Sequence, residues 1–275
     1  MAVSLSLDDA ELARTYDEIS SFQFDNGLLL IEDLRINPGD RVLDIGCGTG
    51  RLGRHLADVI GPSGSYLGVD PLPDRVRIAE EKNRHPKAVY RIGNAEDLGF
   101  QGDDSVDAVL LNEVFHWIIN KQAALREISR VLKPGGKVGL TTGAKELNTI
   151  TGPEAIVERV LQRPPYVDVV RPEDSVTRSH AVTASELGQL LAQSGFVVTS
   201  IQVRTATWPY HTAEEILRFA RASSFGNVLN HVPESLREQA KTEIAAEFKK
   251  HERNGKLAFE RHNIFAVARK EAFQA

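Results

Sequence analysis

A short segment near residue 45 combines one acidic side chain with three closely spaced glycines. Val42–Ile45 is apolar except for Asp44, and Gly46, Gly48 and Gly50 follow it. A short apolar run is typical of a buried parallel strand, and glycines let the backbone turn sharply and approach a ligand closely. The carboxylate of Asp44 beside such a turn favours a cationic ligand, for example an amino group near a sulfonium.

The same glycines allow a second interpretation. Read from Gly48 to Gly53, the segment fits the G-x-G-x-x-G pattern of dinucleotide-binding proteins. In that register the first glycine stands three residues beyond Ile45 instead of directly after the strand, and Asp44 would repel a pyrophosphate. An NAD-dependent oxidoreductase is therefore the alternative prediction and not the preferred one.

Candidate catalytic residues lie further along the chain. His116 comes shortly after an apolar run that ends at Asn112, and its ordinary pKa near neutrality suits a general base. Tyr210 and His211 are two further catalytic candidates. Each of the three has a structural alternative, because histidine and tyrosine also pack in half-buried positions. Cys47, the single cysteine, has no evident partner base, so we favour a small residue that fits a tight loop over a nucleophile.

Composition limits the classes of partner. The 275 residues are 41% hydrophobic and 26% charged, which is ordinary for a globular protein, and the formal net charge is −5. This acidic balance argues against nucleic acid, since phosphate binding requires a basic face. No apolar run approaches the roughly 18 residues of a membrane span, and no signal peptide is evident. We expect a cytoplasmic enzyme with a small-molecule substrate, no membrane partner and no bound metal; a homo-oligomer stays open.

The segment Val42–Gly50 resembles the first motif of class I S-adenosylmethionine-dependent methyltransferases. Four further segments stand in the order of that family's motifs: Tyr66–Asp70, Gly93–Glu96, Val106–Asn112 and Leu132–Gly136. The chain is similar to the small-molecule type, which includes the ubiquinone/menaquinone C-methyltransferases and trans-aconitate methyltransferase. The resemblance implies S-adenosyl-L-methionine as the cofactor and a small organic acceptor that receives the methyl group on oxygen, nitrogen or carbon. A non-catalytic protein that keeps this fold to bind a partner is the remaining alternative.

The resemblance also implies a set of cofactor contacts. Asp70 would accept hydrogen bonds from the ribose hydroxyls, since a carboxylate can accept two at once. Leu72 would lie against the adenine, and the backbone N–H of Ala95 would face the ring, with Asn94 or Glu96 near its exocyclic amine. The candidate cofactor-binding residues are Tyr16, Gln23, Asp44, Gly46, Cys47, Gly48, Asp70, Leu72, Asn94, Ala95, Glu96, Asn112 and Val114.

Alternating strands and helices are needed to position these residues. The predicted fold class is α/β: a Rossmann-like, seven-stranded, mostly parallel sheet with helices on both faces, plus helical cover segments near both ends. Apolar runs predict strands at 41–45, 65–69, 88–92, 106–111, 137–142, 196–203 and 263–269. Helical spacing predicts helices at 8–20, 26–34, 51–60, 73–84, 120–132, 152–161, 214–222 and 233–253, with one more that opens at the capping box Thr183–Glu186. The stretch 167–180 is predicted to be irregular.

Three units follow from this layout. We predict an N-terminal helical cover over residues 1–37, a cofactor-binding core over 38–204 with 263–270, and a helical insertion over 205–262 that forms a substrate lid. Ligands of such sheets bind beyond the carboxyl ends of the strands, so the segments above that edge must recognise the acceptor.

The predicted lid carries the mixture of side chains that small-molecule pockets use. Its aromatic residues would form an apolar wall, and its basic residues would make a few oriented polar contacts. The alternative is that the aromatic residues only pack the core of the insertion itself. The residues concerned are Trp208, Tyr210, Phe219 and Phe225 for the wall, and His211, Arg218 and Arg221 for the polar contacts.

Overall fold

A computed structural model describes residues 4–170 and 180–272. Within these residues seven strands form a single sheet: β1 (Arg41–Ile45), β2 (Ser65–Asp70), β3 (Ala88–Ile92), β4 (Val106–Asn112), β5 (Leu132–Gly143), β6 (Phe196–Tyr210) and β7 (Leu257–Lys270). The spatial order is β3-β2-β1-β4-β5-β7-β6. All pairs up to β5 are parallel, and β7 runs antiparallel between β5 and β6. The prediction of a seven-stranded, mostly parallel sheet is confirmed.

Helices cover both faces of this sheet because the side chains of each strand alternate. In β4, Val109 and Leu111 pack under the helices of one face, while Ala108 and Leu110 pack under the helices of the opposite face. The helices of the described chain are α1 (Ala10–Ile19), α2 (Ser21–Leu34), α3 (Arg51–Ile60), α4 (Pro73–Lys82), α5 (Lys121–Val131), α6 (Lys145–Thr151), α7 (Pro153–Leu161), α8 (Ala184–Gln193), α9 (Ala213–Ser223) and α10 (Glu234–Lys249). None of them is long and apolar enough to span a bilayer.

The N-terminal segment is more helical than its sequence predicts. Asp9 caps α1 by accepting hydrogen bonds from the N–H groups of Glu11 and Leu12, as expected. The sequence predicts a break between the helices at 8–20 and 26–34, and this is wrong. Only Ser20 interrupts the helical run, and α2 begins at Ser21. Burial at four-residue spacing, at Phe22, Asn26, Leu30 and Leu34, stabilises one continuous helix here.

The C-terminal insertion also differs from its prediction. Strands were expected at 196–203 and 263–269, but β6 continues to Tyr210 and β7 already begins at Leu257. The two extensions pair as a hairpin, with Trp208 opposite Phe259, and such aromatic cross-strand pairs favour strand over helix. The helices α9 and α10 therefore stand on a hairpin. The helix α6, ahead of α7, was not predicted, and most of the stretch 167–180 lies outside the described residues.

A separate hydrophobic cluster holds the insertion together. Residues of α7, α9 and α10 pack against the far ends of β6 and β7, with Phe248 and Ile244 fully buried at its centre. The insertion is joined to the N-terminal cover through Asn227, whose side chain hydrogen-bonds both the backbone N–H and the backbone carbonyl of Ser4 at 2.9 Å. From here on, the lid means α7, α9, α10 and the ends of the hairpin. It therefore includes α7, which lies outside the predicted lid over 205–262. The division of the chain into three units stays a prediction.

Candidate functional site

One cavity of about 490 Å³ opens at the carboxyl ends of β1, β2 and β4, beneath the N-terminal cover and the lid. Its volume falls in the range of about 300–1,000 Å³ that is usual for small-molecule sites. The floor carries the strand-end loops, including Gly46, Gly48 and Asp70, whereas Ile216, Phe219 and other lid residues form the roof. The cavity therefore joins the glycine turn to the lid in one continuous space.

The glycine turn can hold its shape only without side chains. Gly46 and Gly48 have φ angles of +76° and +55°, which are left-handed values that glycine tolerates. A Cβ atom added to Gly46 would stand 2.2 Å from Val114 Cγ2, so the backbone of the turn closely approaches the loop after β4. A Cβ atom added to Gly48 would stand 3.4 Å from Cε1 of Tyr16. Val114 and Tyr16 thus shape the cavity around this turn.

Asp70, at the end of β2, is held by its own neighbourhood. One carboxylate oxygen accepts the N–H of Gly48 at 2.9 Å, and the other accepts the N–H of Leu72 at 3.0 Å. Each oxygen can accept a further hydrogen bond, so the carboxylate retains capacity toward a diol in the cavity that it lines. Burial raises the pKa of Asp70, and nearby Arg75 acts against that shift.

The turn after β3 is stabilised by its own side chains. Asn94 Oδ1 accepts the N–H groups of Glu96 and Asp97 at 2.9 and 3.0 Å. Glu96 in turn accepts the N–H of Asn120, where α5 begins. Both side chains line the cavity, and Ala95, 4% exposed, lies between them.

Two of the predicted cofactor residues lie beneath the turn instead of in the cavity. Asp44 is 1% exposed and accepts the hydroxyl of Tyr66 at 2.7 Å, and burial raises the pKa of Asp44 to about 7. Neither it nor Cys47 is among the lining residues. The thiol of Cys47 packs against Gly68, and burial raises its pKa. A cofactor contact for Asp44 stays a prediction, since the strand points this side chain into the core beneath the turn.

The N-terminal cover brings Tyr16 and Gln23 to the cavity, as their prediction requires. Burial raises the pKa of Tyr16 to about 12, so its hydroxyl remains protonated. The backbone carbonyl of Gln23 accepts a hydrogen bond from the Asn112 side chain at 2.8 Å. The side-chain oxygen of Gln23 is buried without a hydrogen-bond partner among the described residues, which leaves an acceptor at the cavity wall.

The loop after β4 places His116 in the cavity wall. Its Nδ1 lies 3.0 Å from the hydroxyl of Thr142, and its ring packs on Trp117 at 4.8 Å between centroids. Burial lowers the pKa of His116 to about 4, and Lys121 adds to the shift. The imidazole is therefore neutral near pH 7 and retains one nitrogen that can accept a proton.

Tyr210 and His211 do not reach the cavity. Tyr210 is 2% exposed and packs between Phe219 and Phe259, with its hydroxyl accepting from Arg261 at 3.0 Å. His211 is exposed on the outer surface. The prediction that these two residues are catalytic is therefore not supported by their positions, because the strand extension carries them past the cavity.

Other lid residues divide between the cavity and structural positions. Phe219 and Phe225 line the cavity, as expected of an apolar wall. Trp208 packs edge-on against Phe22 instead, and Arg218 pairs with Glu18 at the surface. Arg221 is exposed. Of the four aromatic residues predicted to form the wall, two line the cavity and two pack within the cover and the lid.

Among the charged residues of the cavity wall, Arg75, Arg261 and Glu113 are not singled out from the sequence. Arg75 is 3% exposed, pairs with Asp8 at 3.1 Å and donates to the carbonyl of Ala222 at 2.8 Å. Arg261 belongs to β7 of the hairpin, and Glu113 accepts a hydrogen bond from Asn263 of the same strand. A signal existed for Glu113 alone, because it directly follows β4 at the strand end where ligands bind.

Comparison with known proteins agrees with this geometry. The profile of the family described as "Methyltransferase domain" matches residues 43–140. An uncharacterized methyltransferase of Mycobacterium tuberculosis is 33% identical over 178 residues, which cover 61% of this chain and 70% of that protein. A demethylmenaquinone methyltransferase of Lactobacillus johnsonii is 35% identical over 121 residues, or 42% of this chain and 49% of that enzyme.

Solved structures share the architecture. A candidate methyltransferase from Bacillus halodurans superposes with a TM-score of 0.62 at 20% identity, over 90% of this chain and all of the other. A SAM-dependent methyltransferase from Aquifex aeolicus gives 0.54 at 19% identity, over 70% of this chain and 91% of its own. At these identities the superpositions show the fold alone.

The chain therefore belongs to the methyltransferase family, and it is a class I S-adenosylmethionine-dependent methyltransferase. Its cofactor is S-adenosyl-L-methionine. The wall of the cavity fits such a group, with glycines that approach closely, an acid at the end of β2 and the unpartnered oxygen of Gln23. Among the described residues, no cluster of three or more histidine, cysteine or acidic side chains is placed to hold a metal ion.

Proposed function

We propose that this enzyme methylates a small organic molecule that binds at the lid end of the cavity. The observation that carries the proposal is the continuity of the space, from the glycine turn to a roof made by Ile216 and Phe219. A cavity covered from above by two segments suits a molecule that can be enclosed. The acidic surface charge and the single cysteine support a cytoplasmic enzyme of small-molecule metabolism.

The floor of the cavity is the proposed cofactor site. Asp70 would accept the ribose hydroxyls, and the turn around Ala95 would hold the adenine against Leu72. The glycine turn and Asn112 would leave room for the methionine part. The predicted cofactor residues that line the cavity, and that we retain for this role, are Tyr16, Gln23, Gly46, Gly48, Asp70, Leu72, Asn94, Ala95, Glu96, Asn112 and Val114.

The protein's own contribution is alignment and the exclusion of water. When bound, the cofactor supplies an electrophilic methyl group on a sulfonium, which leaves as a neutral thioether. The rigid loop after β4 would fix the position of the acceptor, since proximity and orientation lower the barrier of such displacements. His116, which is neutral near pH 7, would accept a proton where the acceptor releases one. The lid would close over both reactants and keep water out.

Binding and transfer assays test this proposal. Calorimetry with S-adenosylhomocysteine should show binding, and NAD should show none. Incubation with radiolabelled cofactor and fractionated metabolites should place the label in a small organic product. Binding of NAD in place of S-adenosylhomocysteine would restore the oxidoreductase alternative. Label that enters only RNA or protein would contradict a small-molecule acceptor.

A further inference from the structure

Glu113, at the end of β4, has a strained backbone conformation that hydrogen bonds hold in place. Its φ angle is +58°, a left-handed value that is uncommon for a residue with a side chain. Its N–H donates to both the carbonyl and the hydroxyl of Thr141, at 3.1 and 2.9 Å. Such strain persists where the surroundings over-determine it, and it is concentrated at functional sites.

The side chain of Glu113 is fixed as firmly as its backbone. Its Oε1 accepts one hydrogen bond from Asn26 of α2 at 3.1 Å and another from Asn263 of β7 at 2.6 Å. Glu113 and Asn263 both line the cavity. Three elements, α2, β5 and β7, therefore hold one carboxylate at the cavity wall in a single orientation.

Among the described residues around this carboxylate, acidic side chains outnumber basic ones. Arg261 is already engaged, because it contacts Glu154 at 3.5 Å and donates to the Tyr210 hydroxyl at 3.0 Å. The guanidinium also lies over the rings of Phe22 and Phe219. Glu113 itself is held directly by neutral groups. Two carboxylates, Glu113 and Glu154, thus share one guanidinium at this end of the cavity.

The other titratable groups of this wall do not reverse the balance. Among the described residues, Lys145 lies 3.6 Å from the carboxylate of Glu186. Burial lowers the pKa of His116 to about 4 and lowers that of His180, so neither imidazole carries a charge near pH 7. Burial also raises the pKa of Glu113, against the hydrogen bonds from Asn26, Thr141 and Asn263, which lower it.

We propose that Glu113 binds the amino group of the acceptor, and that the acceptor is a primary or secondary amine whose remainder is apolar. A hydrogen bond from an amine to a carboxylate is charge-assisted and would compensate the excess negative charge. Val157, Ile216, Phe219 and Val228 line the neighbouring wall and suit an apolar remainder. An acceptor with a carboxylate would instead meet Glu113 and Glu154. This inference rests on the function proposed above.

The chemistry balances with Glu113 as the proton acceptor. The acceptor binds as an ammonium ion, and Glu113, in place of His116, takes one of its protons. The freed lone pair of the nitrogen forms the new N–C bond while the C–S bond of the sulfonium breaks and sulfur keeps its electron pair. The methylated product leaves as an ammonium ion, and Glu113 then releases its proton to solvent.

The experiment measures binding, not only turnover. The full-length enzyme, saturated with S-adenosylhomocysteine, is titrated calorimetrically with probes that share one body: 2-phenylethylamine, 2-phenylethanol and phenylacetate, and the same trio on a naphthyl body. We expect the amines to bind at least about tenfold more tightly than the matched alcohols and carboxylates, which is the usual difference between charge-assisted and neutral hydrogen bonds. Glu113→Gln should abolish this preference, and Glu154→Gln should retain it.

Several results would overturn the inference. These are tighter binding of the carboxylates, no binding of any probe to the saturated enzyme, or an amine preference that survives in Glu113→Gln. Binding of S-adenosylhomocysteine to each variant is measured first and separates the two proposals. If the wild-type enzyme fails that first step, the proposed function fails; if it passes and the amines show no preference, only the acceptor class is wrong. Normal binding of S-adenosylhomocysteine by Glu113→Gln also shows that the variant is folded.

Discussion

The two ends of the cavity are held together by contacts that differ greatly in the separation of their residues along the sequence. At the turn end, Asp70 is held by Leu72 and Gly48, which are 2 and 22 residues away in sequence. At the lid end, Glu113 is held by Asn263 across 150 residues, and Arg261 contacts Glu154 across 107. The first end is a local motif that strand, turn and helix suffice to form. The second exists only after β7 has returned to the sheet.

This difference separates the parts of the function. The hydrogen bonds that hold Asp70 come from Gly48 and Leu72 and not from the lid, so this carboxylate can keep its position while the lid changes. The lid end can be altered by changes in α7, α9 or the hairpin without disturbing the turn. We therefore expect cofactor affinity and acceptor choice to respond to different substitutions.

The largest expected effect is a loss of stability when a glycine at the turn end is replaced. Gly46→Ala forces a Cβ to within 2.2 Å of Val114 and places a side chain at φ +76°, so we expect a loss of about 3 kcal/mol in the free energy of unfolding, from strain plus overpacking. Urea denaturation measures it. Gly135→Ala is the matched control, since Gly135 has φ +78° but no heavy atom within 4 Å of the added Cβ, and it should lose only about 1 kcal/mol.

A double variant tests whether the clash with Val114 causes the loss of stability in Gly46→Ala. Adding Val114→Ala to Gly46→Ala removes the two γ-methyl groups that the new Cβ would meet, so part of the lost stability should return. Equal losses in Gly46→Ala and Gly135→Ala, with no recovery in the double variant, would show that close packing of the turn on the loop after β4 is unimportant.

A substitution in the lid should have a smaller effect and a different readout. Phe219 is 6% exposed, lines the cavity and packs beside Arg261. Phe219→Ala should lower kcat/KM for the acceptor about tenfold through lost apolar contact, while the affinity for S-adenosylhomocysteine changes less than about twofold. His211→Ala, on the exposed outer surface, serves as the control and should leave both quantities unchanged. Loss of cofactor affinity in Phe219→Ala would contradict the separation of the two ends.

The smallest expected effect concerns pH. The pKa of His116 is lowered from 6.5 to about 4 in the folded protein, so between those values the unfolded chain binds a proton that the folded chain does not. Stability therefore falls as the pH is lowered through this window and is not affected by His116 above it. Urea denaturation at pH 7.0, 6.0 and 5.0 should show a shallower decrease for His116→Gln than for the wild type. Identical slopes would mean that His116 titrates normally when folded.

The sequence was sufficient for the parts of the fold that depend on local pattern. The strands up to β5 and the glycine turn follow from apolar runs and from the turn-forming residues between them. The structure also places most of the predicted cofactor residues in one cavity. The burial of Asp44 could not be predicted in this way, because a strand that is buried on both faces shows no alternation of polar and apolar residues.

The lid was harder to predict for a physical reason. Tyr210 is a plausible pocket residue by type, and only the extension of β6 and its pairing with Leu257 show that it packs inside the lid. Arg75 and Arg261 have ordinary positions in a helix and a strand, and nothing local reveals that the buried Arg75 and the half-buried Arg261 both line the cavity. Such positions are fixed by long-range pairing, which a single sequence does not display.

The central claim is that Asp70 and the adjoining turn bind the cofactor independently of the lid, and calorimetric titration with S-adenosylhomocysteine tests it most directly. The titration compares the wild type, Asp70→Ala, Phe219→Ala and the control Asp74→Ala, which removes a carboxylate of α4 that pairs with Arg77. We predict that Asp70→Ala weakens binding about a hundredfold, because a buried acceptor of several hydrogen bonds is lost, while the other two stay within about twofold of the wild type. Unchanged affinity in Asp70→Ala, or an equal loss in Phe219→Ala, would contradict the claim.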